Sequence, residues 1–255
     1  MKNIFVISQN TFLELVRNRV LYMFLFFAVF LLFLMLALGQ LSFAEQFRLS
    51  ISLGLASIHM CLVALTIFIG GSIVYKEIDR LTILTVLVRP LSRPQFLVGK
   101  YLGFLQLMFS FNLGFCFLYT LSLLFMGFSF DAFDLFLVFL GFALEVMILL
   151  AVTLFFSTFS ASFLTIVFTI CFFIIGHWSE TLSQMVINNV NEDYVMIAKV
   201  VNKVLPNLEL FNWRLQPVDA FLQTSYVLKS STISLVWTFF FLFAAALVFR
   251  KRDFA

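Results

Sequence analysis

A chain of 255 residues that is 63% hydrophobic and 11% charged, with a mean hydropathy of +1.09, excludes an ordinary soluble domain, whose apolar share is nearer half. Its net charge of +3 is small and no solvated basic domain is present, which argues against nucleic acid as a partner. The three cysteines, Cys61, Cys116 and Cys171, lie within apolar runs without CxxC or Cys/His company, so the sequence indicates neither a disulfide framework nor a metal site.

Crossing a bilayer core takes roughly 20 mostly apolar residues. Six runs qualify, at about 20–39, 51–74, 101–126, 133–156, 162–178 and 231–249. The predicted fold is therefore an all-α integral membrane protein with six transmembrane helices in one permease-sized domain, 1–255.

Residues 1–19 read as a helix lying in the membrane interface. Phe5, Phe12, Leu13, Val16 and Val20 recur on one side, and Lys2, Asn3, Asn10, Glu14 and Arg17 occupy the other. Glu14, Arg17 and Arg19 precede a full-length apolar run with no small-residue cleavage site after it, which is unlike a cleavable signal peptide.

The distribution of Lys and Arg sets the expected orientation. With the N-terminus inside, Lys2, Arg17, Arg19, Lys76, Arg80, Arg89, Arg93, Lys100, Arg250, Lys251 and Arg252 are cytoplasmic, eleven of the sixteen basic residues. Both termini are then cytoplasmic. The long segment 179–230 falls outside, and its Val195, Ala198, Val201, Val204 and Leu205 predict an amphipathic helix that Pro206 would end.

The inner segment 75–100 carries the densest local signals. Ile78, Leu81, Leu84 and Val88 predict an amphipathic helix with Lys76, Glu77, Asp79 and Arg80 on its polar side. Pro90 biases Arg89 away from helical geometry and ends it. Ser92-Arg93-Pro94-Gln95 then forms an S-x-x-Q capping box that opens a helix running through Gly99 and Lys100, with Lys100 expected to snorkel to the interface.

"KEIDRLTILTVLVRPLSRPQFLVGKYLG" resembles the signature of type 2 ABC transporter permeases, such as those of copper-site assembly, gliding and sodium or drug efflux systems. Glu77, Pro90, Ser92, Arg93, Gly99 and Lys100 match position by position, while Leu81-Thr82 stands where the family often has glycine-threonine. The resemblance extends over the chain through "STFSAS" at 157–162 and the terminal "FRKRDF", though only 76–103 is specific.

Several expectations follow from that resemblance. The chain would be a permease subunit in a bacterial plasma (inner) membrane, paired with a second copy or a paralogous permease. Two separate cytoplasmic ABC ATPase subunits would bind ATP and Mg, with no cofactor on this chain. Coupling falls to Glu77, Arg80, Arg89, Pro90, Ser92, Arg93 and Gln95, with Phe12, Glu14 and Arg17 of the interfacial helix bracing the contact. The basic character of Arg89 and Arg93 is expected to answer acidic groups on the ATPase. The residues agree that this chain has no ATPase site of its own: Gly99-Lys100 lacks the upstream glycine of a P-loop and is followed by Tyr101. An ion-driven secondary transporter and a membrane assembly scaffold are the alternative readings.

Within the spans, polar chemistry is sparse. Glu145 lies midway through the fourth run, where an ionised carboxylate costs at least ~2.5 kcal/mol. His59 and Asn112 are its candidate partners. The cluster is either a substrate contact or gating element, or an interhelical hydrogen bond of about 0.6 kcal/mol. His177 beside Trp178 reads as an interfacial anchor. The 38 phenylalanines read mainly as lipid-facing and packing surface. No nucleophile–base arrangement or catalytic pair of carboxylates is present in the pattern.

Overall fold

The computed structural model describes residues 2–41, 46–79, 92–128, 131–187, 205–215 and 224–251. Among these the chain is all-helical, without strands. The helices are α1 (Lys2–Val16), α2 (Arg19–Leu41), α3 (Gln46–Asp79), α4 (Arg93–Phe125), α5 (Ala132–Ser157), α6 (Ser162–Ile187) and α7 (Thr224–Lys251). Two short 3-10 turns, Leu208–Phe211 and Trp213–Leu215, precede α7.

Among the described residues, four helical stretches are long and apolar enough to cross a membrane: Ser50–Ile73, Arg93–Phe125, Ala132–Ser157 and Tyr226–Arg250. A fifth is reached if α1 and α2, bent by 63° at their junction, count as one. The apolar part of α6, Ser162–Trp178, is shorter. The structure is thus compatible with a multi-pass membrane protein of four to five spans by this measure, fewer than the six predicted. Helices satisfy every backbone group internally, which is what a bilayer demands.

Helix ends follow local chemistry. Gly127, at φ +73°, closes α4: its amide donates to Leu124 at 3.0 Å and that of Phe128 to Leu123 at 3.2 Å, a Schellman motif that needs the left-handed residue. Asp131 opens α5 by accepting from the Phe133 amide at 2.8 Å. The predicted capping box at α4 is formed, with Ser92 N–H donating to the Gln95 side chain at 3.2 Å.

Helix α5 lies at the centre, touching α3, α4, α6 and α7. Ile148, Leu149, Leu150, Ala151, Val152 and Leu154 are all fully buried. Polar side chains of neighbours reach its backbone: Asn112 donates to Phe139 at 2.9 Å, Tyr101 to Met147 at 3.3 Å and Ser234 to Leu144 at 2.8 Å. Glycines bring helices close, as expected where lipid offers no hydrophobic drive between them. Gly70 faces Thr153, and Gly71 faces Ile166.

The closest helix partnership is α1 against α4. The apolar side read for α1 is split in the structure. Phe5 and Leu13 are exposed, as a lipid-facing side would be, whereas Phe12 and Val16 lean on the core. A third side, Ile7, Ser8, Thr11 and Leu15, makes the protein contact over Gly99 and Gly103. Lys100 does not snorkel: it is buried and donates to exposed Glu14 at 3.1 Å. Packing of α1 over this part of α4, at Gly99 and Gly103, covers the lysine and brings the carboxylate to it.

A β-carbon on Gly103 would lie 2.5 Å from the Ser8 carbonyl oxygen and 2.7 Å from Thr11 Cβ, both unable to yield cheaply. Gly103→Val should therefore push α1 off α4 and cost about 1–3 kcal/mol. Gly114→Ala, with nothing within 4 Å, is the neutral comparison. Thermal unfolding in detergent would separate the two, and equal melting would refute the packing.

A buried histidine–carboxylate cluster as candidate site

Glu145, on the central helix, is fully buried and takes one histidine on each oxygen. His59 Nε2 from α3 lies 2.8 Å from Oε2, and His177 Nε2 from α6 lies 3.0 Å from Oε1. The other nitrogen of His177, Nδ1, lies 2.7 Å from Glu209 Oε2. Four elements, α3, α5, α6 and the first 3-10 turn, thus converge on one polar chain. An acid at membrane depth is tolerable only with such partners.

Glu209 is placed by its own turn. Asn207 caps the turn by accepting from the Glu209 amide at 2.9 Å, and Asn212 Nδ2 donates to Glu209 Oε1 at 2.5 Å. Arg214 in turn holds Asn212 Oδ1 at 2.7 Å. Hydrogen bonding from His177 holds the Glu209 carboxyl below the usual carboxylate range; partial burial opposes this and Asn212 assists. Donation to two carboxylates requires hydrogen on both nitrogens of His177.

The turns carrying Glu209 are themselves buried in the bundle. Leu208, Phe211 and Trp213 are at most 1% exposed. Phe211 and Trp213 lie against Gly141 of α5, and Leu208 lies against Gly176 of α6, where a β-carbon would stand 2.7 Å away. Trp213 Nε1 donates to Leu210 at 2.7 Å. Irregular backbone at this position is allowed because protein, not lipid, surrounds it. Aromatic rings wall the cluster: His59 sits 4.9 Å from Phe142, and His177 4.6 Å from Phe173.

Of the three polar residues grouped from the sequence, His59 and Glu145 do meet. Asn112 does not join them; it donates to the Phe139 carbonyl instead, nearly two turns of α5 away from Glu145. His177 is not a mere interfacial anchor, although its neighbour Trp178 is exposed as an anchor would be. Adjacent helical positions point about 100° apart, so one faces out and the other in. Glu209 was hidden in a segment read as lying outside the membrane. The available signal was scarcity: the chain has only two histidines, and an intramembrane acid needs partners. The fold also gathers what the sequence did not suggest, three metal-capable groups, His59, Glu145 and His177, whose ligand atoms lie within 4.8 Å of one another.

No family model and no curated protein matches the chain.

The residues assigned to coupling lie elsewhere. Glu77 is in the last turn of α3, while Arg80, Arg89 and Pro90 fall outside the described residues, as do most of the predicted 75–88 helix and of the 194–205 helix. Ser92 and Gln95 form the cap of α4. Arg93 Nη1 donates to the carbonyls of Phe249 at 3.3 Å and Arg250 at 3.0 Å, at the C-terminal end of α7. Its positive charge thus answers the negative end of a helix in the same chain, rather than only acidic groups of a partner. Phe96 stacks on Phe249 beside it, centroids 6.2 Å apart.

Proposed function

We propose that this chain is the membrane-spanning permease subunit of an ABC transporter, driven by ATP hydrolysis in a separate subunit and working in export or mechanical transfer across a plasma membrane. The observation that carries this reading is the 76–103 sequence together with the way α4 starts. That start is anchored three times over: by the Ser92–Gln95 box, by Lys100 on Glu14 of α1, and by Arg93 on the end of α7. A displacement applied at Ser92 would reach α1, α4 and α7 together. This is the mechanical property a coupling elbow needs. In this reading the termini are cytoplasmic, a second permease copy or paralogue completes the pathway, and ATP and Mg belong to the partner ATPase.

The test is purification of the full chain from its native membrane in mild detergent. An ABC ATPase should co-purify. In the double variant Glu77→Lys/Arg89→Glu, ATPase recovery should fall at least about tenfold, because like charges brought together at an interface cost several kcal/mol. Chain abundance in the membrane should be unchanged. Arg93 is spared because its loss would also free the end of α7. A lone chain without an ATPase, or full ATPase recovery by the variant, would sink the reading.

A further inference from the structure

We propose that His59 Nε2, His177 Nε2 and the Glu145 carboxylate form a binding site for one divalent transition-metal cation of the zinc class, with Glu209 as the outer partner that orients His177. The inference stands on the cluster alone and is independent of the permease reading.

The donor set selects the ion. Two imidazoles and one carboxylate suit zinc and its neighbours, whereas calcium and magnesium take oxygen ligands and copper(I) prefers sulfur. Three protein ligands with water in the fourth position is an established zinc coordination, distinct from the closed four-ligand structural site.

Distances agree within side-chain reach. Zinc bonds of about 2.0–2.2 Å place tetrahedral ligand atoms roughly 3.3–3.5 Å apart. Here His59 Nε2 stands 2.8 Å from Oε2 and His177 Nε2 3.0 Å from Oε1, the two oxygens of one carboxylate, and one ligand atom from each residue lies within 4.8 Å of the others. Small rotations of the rings reach the tetrahedral spacing without moving a helix. No hydrogen bond on its buried Nδ1 opposes such a rotation of His59, whose ring is held by Glu145 and by packing against Phe142, Phe173 and His177.

The surroundings supply what a metal-bound histidine requires. Its second nitrogen almost always donates to a carboxylate or carbonyl, which fixes the ring and raises its basicity. His177 Nδ1 has that partner in Glu209 at 2.7 Å, itself held by Asn212. Charge is compatible as well: the ion takes the place of the His177 Nε2 proton, which is released, and two ionised carboxylates with two neutral imidazoles offset its two charges, Arg214 lying beyond Asn212. Both histidines of the chain are committed to this one place.

The full chain, purified without a histidine tag and stripped with chelator, would be titrated with Zn2+ and with Co2+. The expected result is one tightly held equivalent per chain and an intense visible Co2+ spectrum of tetrahedral type. His59→Gln and His177→Gln should each weaken binding at least about tenfold, and Glu209→Gln about 10–100-fold while still reaching one equivalent. If the histidine variants fail to assemble, the wild-type Co2+ spectrum decides alone: a tetrahedral band supports the site, and a weak octahedral one overturns it. Zinc retention by the wild type no greater than by the double variant His59→Gln/His177→Gln would likewise overturn it, leaving a polar knot that only ties three helices.

Discussion

Glu145→Leu is expected to destabilise the folded chain by about 3–5 kcal/mol, the range for breaking a buried ionic contact from one side. The substitution adds no bulk that α5 cannot hold. It strands His59, which is buried and has no other hydrogen-bond partner among the described residues, and it leaves His177 with Glu209 alone. The decisive comparison is the triple variant His59→Leu/Glu145→Leu/His177→Leu. Removing the three together leaves only Glu209 short of a partner, and it is part-exposed and keeps Asn212, so most of the loss should be recovered. Equilibrium unfolding in mixed micelles would measure both. Strict additivity of the three single changes would contradict the pairing described, since residues in one network couple by 0.5–3 kcal/mol.

Trp213→Ala is the second large effect, about 3–5 kcal/mol for emptying a fully buried aromatic site. The indole fills the space above Gly141 and its N–H donates to the Leu210 carbonyl, so the alanine leaves a void and takes from that carbonyl the shorter of its two hydrogen bonds, the Tyr226 hydroxyl remaining at 3.3 Å. Trp213→Phe restores most of the volume but not the hydrogen bond, and should cost markedly less. Because Glu209 rides on the same pair of turns, Trp213→Ala should also loosen its contact with His177. A loss below about 1 kcal/mol in the alanine variant would mean that these turns are not docked in the bundle.

The positions of the helices were legible because an apolar run long enough for a bilayer has few other uses. Five predicted spans start or end within a few residues of α2, α4, α5, α6 and α7, and the S-x-x-Q pattern located the start of α4. What escaped was everything decided by which side of a helix meets which neighbour. Lys100 sits at a helix start where a cation would ordinarily reach for water, yet α1 covers it and supplies Glu14. The face of α1 that packs is marked by Ser8 and Thr11, small polar residues that hydropathy counts as solvent-loving. In a membrane protein, smallness governs helix contact more than apolarity does. The cluster was half visible for a related reason. Glu145 and His59 stood out as polar residues in apolar runs, but Glu209 belongs to a segment whose composition looks aqueous and whose burial arises from docking. Arg93, finally, matched a family pattern while serving the end of α7, a contact 156 residues away in sequence.

The docked turns also impose an order on biosynthesis. Their groove has walls from α5 and α6, with Gly141 and Gly176 at its floor, while the filler, Leu208 to Trp213, emerges from the ribosome only afterwards. Until it arrives, His177 lacks its second carboxylate and the two glycines face an open cleft. A nascent chain halted before Leu208 therefore has the groove at Gly141 and Gly176 unfilled and the polar chain one member short.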